Sequence, residues 1–252
     1  MKILLHISFL GTNYCGYQIQ PNGVTVQKKL NEATKALFGY DCDIVGCSRT
    51  DSGVHANHFC ATVTKKGTDE LITTIPADKI PLAISQYLPD DISVFAAEAV
   101  EPSFHPRYDV KYKEYVYRIW NRAERNPFLC DRTWQYPKRI DDIALERMNE
   151  AASRFIGTHD FATYMASDTK IQDTVRTVYD AKVIRNGDVV EFYVSADGFL
   201  YNMVRILTGT LISVAEGKIS PEDVDKITES RDRKNAGITV PACGLFLNKV
   251  SY

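Results

Sequence analysis

The hydrophobic and polar positions of this chain follow two periods, which predict strands and helices in turn. Apolar and polar residues alternate over Ile3–Leu10, a pattern typical of a half-buried strand. The next segment, Gly11–Gly23, is polar and rich in glycine and predicts turns. Apolar residues then recur at helical spacing over Val26–Leu37, with Thr25 as the predicted N-cap and Gly39 where a C-terminal glycine belongs.

The same patterns continue along the chain and predict a mixture of short strands and amphipathic helices. The further predicted strands are Cys42–Cys47, His58–Thr64, Ser93–Ala99, Asp109–Trp120, Val175–Ile184, Val189–Ser195 and Leu245–Val250, with a hairpin signal at Asn186-Gly187. The further predicted helices are Pro81–Leu88, Asp141–Phe155 and Tyr201–Ala215. This order predicts an α+β fold of two α/β lobes with mostly antiparallel sheets, divided into residues 1–105 and residues 106–252.

Composition and charge exclude several classes of protein. The 252 residues are 44% hydrophobic and 25% charged, which excludes a disordered, collagenous or coiled-coil chain. The apolar run Ile3–Leu5 is too short for a membrane span or a signal peptide, and the six cysteines include no CxxC pair. We therefore expect a cytoplasmic protein with reduced thiols and no membrane segment. The formal net charge of -2 requires any polyanion site to be local.

One segment concentrates positive charge. Residues 101–139 hold nine Lys and Arg against five Asp and Glu, and aromatic residues lie between these charges. Such a mixture is typical of a surface that pairs phosphates with cations and bases with rings. An amphipathic strand with solvated charges and core aromatics has the same composition, and both interpretations stay open at this stage.

Two sets of residues between 46 and 60 could carry chemistry. Asp51 lies in a loop of small residues and a glycine, where it is either a rigidly presented carboxylate or an Asx-turn residue. Cys47, His55, His58 and Cys60 include the ligand types that zinc prefers. Because the paired spacing of structural zinc sites is absent, the sequence favours no metal.

The loop Ser48–Ala56 reads Ser-Arg-Thr-Asp-Ser-Gly-Val-His-Ala and closely resembles the active-site loop of the tRNA pseudouridine synthase A family. Further segments that resemble family signatures follow in order along the chain: Gly11–Gln18, Ser103–Tyr108, Lys113–Tyr117, Gly157–Phe161, Gly198–Arg205 and Gly244–Leu247. One departure is Leu10, where the family usually has an aspartate, and this puts the local turn in doubt.

The resemblance implies the pseudouridine synthase fold, with the two lobes joined around a central basic cleft, and isomerisation of uridine to pseudouridine at positions 38, 39 and 40 of the tRNA anticodon stem-loop. It implies that Asp51 is the catalytic carboxylate, acting on a flipped-out uridine. The isomerisation changes neither redox state nor composition, so no cofactor or metal is expected. Asp51 could add to C6 of the uracil, attack C1' of the ribose or remove the 2' proton, and the sequence does not choose among these.

The resemblance also implies roles for other residues. Arg205 would pair with Asp51, Tyr115 would stack on the base and assist proton transfer, and Leu245 would form the apolar wall behind the uracil. Arg49 would enter the RNA near the extruded base. Further implied RNA contacts are Phe104, His105, Pro106, Arg107, Tyr108, Lys170 and Gln172.

Each of these assignments has a structural alternative. Arg205 could extend from its helix to solvent, Tyr115 and Leu245 could be core residues, and the remaining charges could be solvated. The family resemblance further implies a homodimer that cradles one tRNA. Two other functions are possible on the sequence: a non-catalytic RNA-binding protein, and a zinc hydrolase using His55 and His58.

Overall fold

The computed structural model describes residues 1–166 and 172–252 and has a mixed α and β architecture. Within these residues the strands are β1 Lys2–Phe9, β2 Cys42–Gly46, β3 His55–Lys65, β4 Ile92–Val100, β5 Tyr112–Trp120, β6 Trp134–Gln135, β7 Gly157–Asp160, β8 Val175–Asn186, β9 Val189–Ala196 and β10 Leu245–Ser251. The α-helices of the same residues are α1 Val26–Phe38, α2 Ile80–Ser85, α3 Asp142–Ser153, α4 Met203–Ala215 and α5 Asp223–Glu229. The predicted α+β class and mostly antiparallel pairing are confirmed.

The first of two compact units contains Met1–Lys111 and Leu247–Tyr252. Its strands follow the order β4-β1-β3, and β2 and the end of β10 both lie against β3. Alternate residues of β1, from Ile3 to Phe9, are at most 3% exposed. The polar positions of β1, among them His6, point to the opposite face, because successive side chains of a strand alternate.

Helix α1 of this unit has both of its predicted ends. The Thr25 side chain accepts a hydrogen bond from the Lys28 backbone N–H, and Gly39 has the left-handed φ of 77°. Helix α2 is shorter than predicted and ends at Ser85, before Pro89. The residues that follow form hydrogen bonds of the 3-10 type, in which the Leu88 backbone N–H donates to the Ser85 carbonyl three residues earlier.

The second unit, Tyr112–Phe246, has the strand order β5-β9-β8-β7, with the short β6 parallel to β5. Helix α3 packs against β8 and against α4. Helix α4 is buried along most of its length, and its Gly209 allows the backbone of another segment to approach closely. A Cβ at Gly209 would lie 1.9 Å from the Ile238 carbonyl oxygen, so only glycine fits there.

The β8–β9 hairpin differs from the prediction by one residue. Asn186 pairs with Val189, so the loop residues are Gly187 and Asp188 rather than Asn186 and Gly187. Gly187 has a φ of 60°, and a positive φ at the first loop position is typical of a type II′ turn. In the part of the chain described above, no helix is long and apolar enough to cross a membrane.

Candidate active site and nucleic-acid interface

Asp51 lies in the loop between β2 and β3 of the first unit, and its side chain is half-buried. The Val54 backbone N–H donates to the Asp51 carbonyl at 3.2 Å, and Gly53 has a φ of 78°, so the chain turns sharply after Asp51. Strand β3 begins at His55, three residues earlier than predicted. The loop therefore spans residues 47–54, with a strand on either side of it.

A second segment of the first unit holds the backbone of this loop. The Tyr17 N–H donates to the Thr50 carbonyl at 3.2 Å, and the Ser52 hydroxyl donates to the Tyr14 carbonyl at 3.2 Å. Gly16 has a φ of 81°, and a Cβ there would lie 2.4 Å from the Thr50 oxygen. The segment Gly11–Gln18 therefore supports the Asp51 loop through backbone contacts that depend on glycine.

The turn that follows Leu10 forms without a side-chain cap. Leu10 precedes a short 3-10 helix, Gly11–Asn13, and makes no capping hydrogen bond. The Gly11 N–H instead donates to Nδ1 of His55, at 2.9 Å, and the His55 side chain is fully buried. His55 thus supplies a hydrogen-bond acceptor for the turn after Leu10, whose formation the absence of the usual aspartate had put in doubt. Nδ1 of His55 is therefore occupied by a backbone hydrogen bond.

The segment after β4 forms a compact turn that presents two side chains to solvent. Nδ1 of His105 accepts from the N–H groups of Arg107 and Tyr108 at 3.1 and 3.3 Å, and Asp109 accepts from the His105 N–H at 2.8 Å. The Tyr108 ring stacks on His105 at 4.2 Å and is 76% exposed. This arrangement offers a flat ring beside the exposed guanidinium-bearing Arg107, as in proteins that stack on nucleic-acid bases.

The same turn is anchored to the end of β10. The Phe104 ring meets Tyr252 edge-on at 4.9 Å, and the Tyr252 hydroxyl donates to the Pro106 carbonyl at 2.8 Å. Pro106 is buried, so Phe104 and Pro106 hold the turn while Arg107 and Tyr108 face solvent. Elsewhere, Arg49 and Gln172 are exposed, and Lys170 lies outside the described residues.

Arg205 is fixed within the second unit. Its Nε donates to the Val240 carbonyl at 2.7 Å, and its Nη1 donates to Oδ1 of Asn202 at 2.7 Å. Asn202 itself has a left-handed φ of 61° at the start of α4. The half-buried guanidinium therefore has a defined orientation, which excludes the alternative of a side chain that simply extends into solvent.

Tyr115 and Leu245 of the second unit are both buried, at 7% and 6% exposure. The Tyr115 ring meets Phe199 edge-on at 4.9 Å. The neighbouring Tyr117 is fully buried, its hydroxyl donates to the Pro241 carbonyl at 2.7 Å, and burial raises its pKa. The aromatic residues of 101–139 thus differ in exposure: Tyr115 and Tyr117 of β5 are buried, Tyr112 and Trp120 of the same strand are half-buried, and Tyr108 of the first unit is exposed.

The predicted site residues are distributed over both units. Asp51 and Arg49 belong to the first unit with the turn Phe104–Tyr108, and Tyr115, Arg205 and Leu245 belong to the second. Gly16 and His55 shape the Asp51 loop, and neither role is predicted from the sequence, although both residues lie inside the motifs named above. The two glycines of Gly11–Gln18 are the available signal, because a backbone that approaches another this closely leaves no room for a Cβ.

Comparison with known proteins identifies the family. A family model described as tRNA pseudouridine synthase matches residues 6–109 and 151–252. The chain is 44% identical over 253 residues to tRNA pseudouridine synthase A of Thermoanaerobacter sp. (strain X514), covering 100% of this chain and 99% of that one. It is 42% identical over 251 residues to the enzyme of the same name from Clostridium acetobutylicum, with the same coverage. The chain belongs to the tRNA pseudouridine synthase A family.

Proposed function

We propose that this enzyme converts uridine to pseudouridine at positions 38, 39 and 40 of the tRNA anticodon stem-loop, with Asp51 as the catalytic carboxylate. Family membership supports isomerisation of uridine in tRNA. The observation that carries the assignment of Asp51 is its loop, in which backbone contacts from Tyr14 and Tyr17 hold a half-buried carboxylate in a short turn. A catalytic group needs this kind of preorganisation.

The reaction breaks the N1–C1' bond of the nucleotide and forms a C5–C1' bond in its place. The proton on C5 is released and N1 gains a proton, so atoms and electrons balance without an oxidant or a cofactor. Asp51 acts by addition to C6, attack on C1' or removal of the 2' proton, and all three roles require a fixed carboxylate.

Arg205 is proposed as the residue that positions the Asp51 carboxylate. Its Nε and Nη1 hydrogen bonds give the guanidinium a single orientation, and a planar fork of donors matches a carboxylate well. Arg205→Lys keeps the positive charge but loses the planar arrangement of N–H donors. We expect this variant to lower kcat with little change in KM, and to retain more activity than Arg205→Ala. A change confined to KM would contradict the positioning role.

Tyr115 and Leu245 are proposed to contact the target uracil, which must leave the stacked stem at a cost of a few kcal/mol. Arg49, exposed two residues before Asp51, is proposed to enter the RNA near the extruded base. Phosphate and base contacts are assigned to the turn Phe104–Tyr108, whose exposed ring and cation support this role. Lys170 and Gln172 are proposed as further contacts, and homodimeric assembly stays a prediction.

Tritium release from tRNA labelled with [5-3H]uridine tests the proposal, because only the isomerisation frees the C5 hydrogen. Asp51→Asn is expected to abolish release while tRNA affinity changes less than about tenfold, since affinity depends mainly on phosphate contacts. The matched control is Asp90→Asn, which removes an exposed carboxylate and is expected to keep full activity. Turnover by Asp51→Asn would overturn the mechanism.

The modified positions need a separate measurement. Carbodiimide mapping of tRNA treated with the purified enzyme is expected to locate pseudouridine at positions 38, 39 and 40. Modification elsewhere, with tritium still released, would leave the catalytic assignment intact and refute the assignment to the anticodon stem-loop. An enzyme that binds tRNA without releasing tritium would be an RNA-binding protein rather than an isomerase.

A further inference from the structure

Two histidines and a cysteine cluster on the sheet of the first unit, apart from the Asp51 loop. His6 belongs to β1, and His58 and Cys60 belong to β3. One ligand atom from each lies within 4.8 Å of the others. Nδ1 of His6 is 2.8 Å from Nε2 of His58, and Sγ of Cys60 is 3.4 Å from that Nε2 and 3.7 Å from Nδ1 of His6.

Strand register brings these residues together. His6 lies directly opposite Cys60 in the antiparallel β1–β3 pair, and His58, two residues before Cys60, shares its face of the sheet. A bulge in β4 places Phe95 between the residues that pair with His6 and Ile7. The Phe95 ring lies 6.1 and 5.6 Å from the rings of His6 and His58, and so covers one side of the cluster.

The cluster differs from the set of possible ligands noted in the sequence, which was Cys47, His55, His58 and Cys60. Of those four residues, the described structure brings only His58 and Cys60 into the group. Nδ1 of His55 accepts from the Gly11 N–H, and Sγ of Cys47 accepts from the Cys60 N–H at 3.4 Å. His6, which the sequence did not suggest, completes the set because it lies opposite Cys60.

The donor atoms fit tetrahedral zinc. Zinc bonds of about 2.0–2.1 Å to nitrogen and about 2.3 Å to sulfur place two such nitrogens about 3.3 Å apart and a nitrogen and a sulfur about 3.5 Å apart. The two sulfur–nitrogen distances of 3.4 and 3.7 Å match. The nitrogen–nitrogen distance of 2.8 Å requires the two rings to separate by about 0.5 Å.

A carboxylate orients one of the ligands. Oε1 of Glu98 lies 3.1 Å from Nε2 of His6, so a proton on Nε2 leaves the lone pair of Nδ1 facing the cluster. Metal-binding histidines commonly have such a carboxylate on the other ring nitrogen. The charged groups that act on the cluster include Glu98 and, from β10, Lys249, and these two carry opposite charges. The cation therefore gains its charge compensation from the thiolate.

We propose that His6, His58 and Cys60 bind one Zn²⁺ ion, with a solvent molecule as the fourth ligand. Binding transfers the thiol proton of Cys60 to solvent, and His58 exchanges a proton on Nε2 for one on Nδ1, so no oxidation or reduction takes place. The metal joins β1 to β3, the strand that follows the Asp51 loop. Its role is structural, and the isomerisation proceeds without it.

Cobalt titration of the metal-free full-length protein tests the site. Co²⁺ bound by a thiolate gives a charge-transfer absorption band, which we expect at one equivalent and which Zn²⁺ should abolish by displacement. Cys60→Ser is expected to remove the band. Cys130→Ser, which changes an exposed cysteine, is the matched control and should keep it. Absence of the band from the unaltered protein, or its persistence in Cys60→Ser, would overturn the proposal.

A second measurement covers the case in which Cys60→Ser fails to fold. Zn²⁺ is expected to raise the Tm of the unaltered protein, and to raise it far less in His6→Gln, whose side chain is only partly buried. Zinc affinity should fall at least tenfold in His6→Gln. An equal rise in Tm for both proteins would refute the site. Asp51→Asn should bind zinc normally, which separates this proposal from the proposed function.

Discussion

Replacing Gly16 with alanine tests whether the backbone contact between Gly16 and Thr50 holds the Asp51 loop in place. An alanine there would adopt a φ of 81°, which costs about 1–2 kcal/mol for a residue with a side chain. Its Cβ would lie 2.4 Å from the Thr50 carbonyl oxygen, so the loop must move by about 1 Å to reach an ordinary contact distance. A displacement of that size at a reacting group lowers the rate by about a hundredfold.

Gly39→Ala separates this displacement from the backbone cost. Gly39 has a φ of 77°, but among the described residues nothing outside its own helix and its chain neighbours lies within 4 Å of the position that its Cβ would occupy. Both variants should lose about 1–2 kcal/mol of unfolding free energy from the backbone conformation alone, measured by chemical denaturation. Only Gly16→Ala should lose kcat in the tritium-release assay, with KM little changed. The reasoning is refuted by normal kcat in Gly16→Ala, or by an equal loss of kcat in Gly39→Ala.

Two further predictions concern binding and pH. Tyr108→Ala should weaken tRNA binding about tenfold in a filter-binding assay, because one base stacked on a ring contributes about 1–3 kcal/mol. The control Tyr87→Ala removes another exposed ring, at 48% exposure, and should leave tRNA binding unchanged. Equal losses of affinity in the two variants would contradict a specific contact at Tyr108. Hydrogen bonds from Lys138 and Lys218 lower the pKa of Glu216 from 4.5 to about 2. The resulting stabilisation is present above about pH 4.5 and is lost as the pH falls towards 2. In Glu216→Gln, the unfolding free energy should therefore change less between pH 4.5 and pH 2 than it does in the unaltered protein. If the two proteins lost stability equally over this pH range, Glu216 would not be the group responsible.

Elements with local signals could be predicted from the sequence. Helix α1 has both its ends where expected because Thr25 and Gly39 act within the helix itself. Strand β3 begins early because Phe9 pairs with Ala56 across an irregularity in the β1–β3 register, a contact between distant segments. Strand β7, only four residues long, has no counterpart among the predicted strands, because its pairing with β8 defines it. The local sequence pattern therefore determines whether a segment is a helix or a strand, and the strands that pair with it determine where it begins and ends.

The candidate sites divide in the same way. The motif around Asp51 identified the carboxylate, but the contact between Gly16 and Thr50 joins two segments whose proximity the sequence does not encode locally. The sequence suggests His58 and Cys60 as possible ligands. It does not suggest their partner His6, because pairing of His6 with Cys60 depends on register, and a shift of one residue would move His6 to the other face.

The first unit is built from two segments that are far apart in the sequence, and this has a consequence for folding during synthesis. The end of β10, residues 247–251, lies against β3 on the edge that β2 covers over residues 61–65, and the Asn57 side chain donates a hydrogen bond to Asn248 at 2.7 Å. The ribosome must add the 135 residues from Tyr112 to Phe246 before that edge can be covered. At 5–20 residues per second this takes roughly 7–27 s. Throughout that interval the nascent chain carries a partly open strand edge, the kind of surface on which chaperones act and aggregation begins.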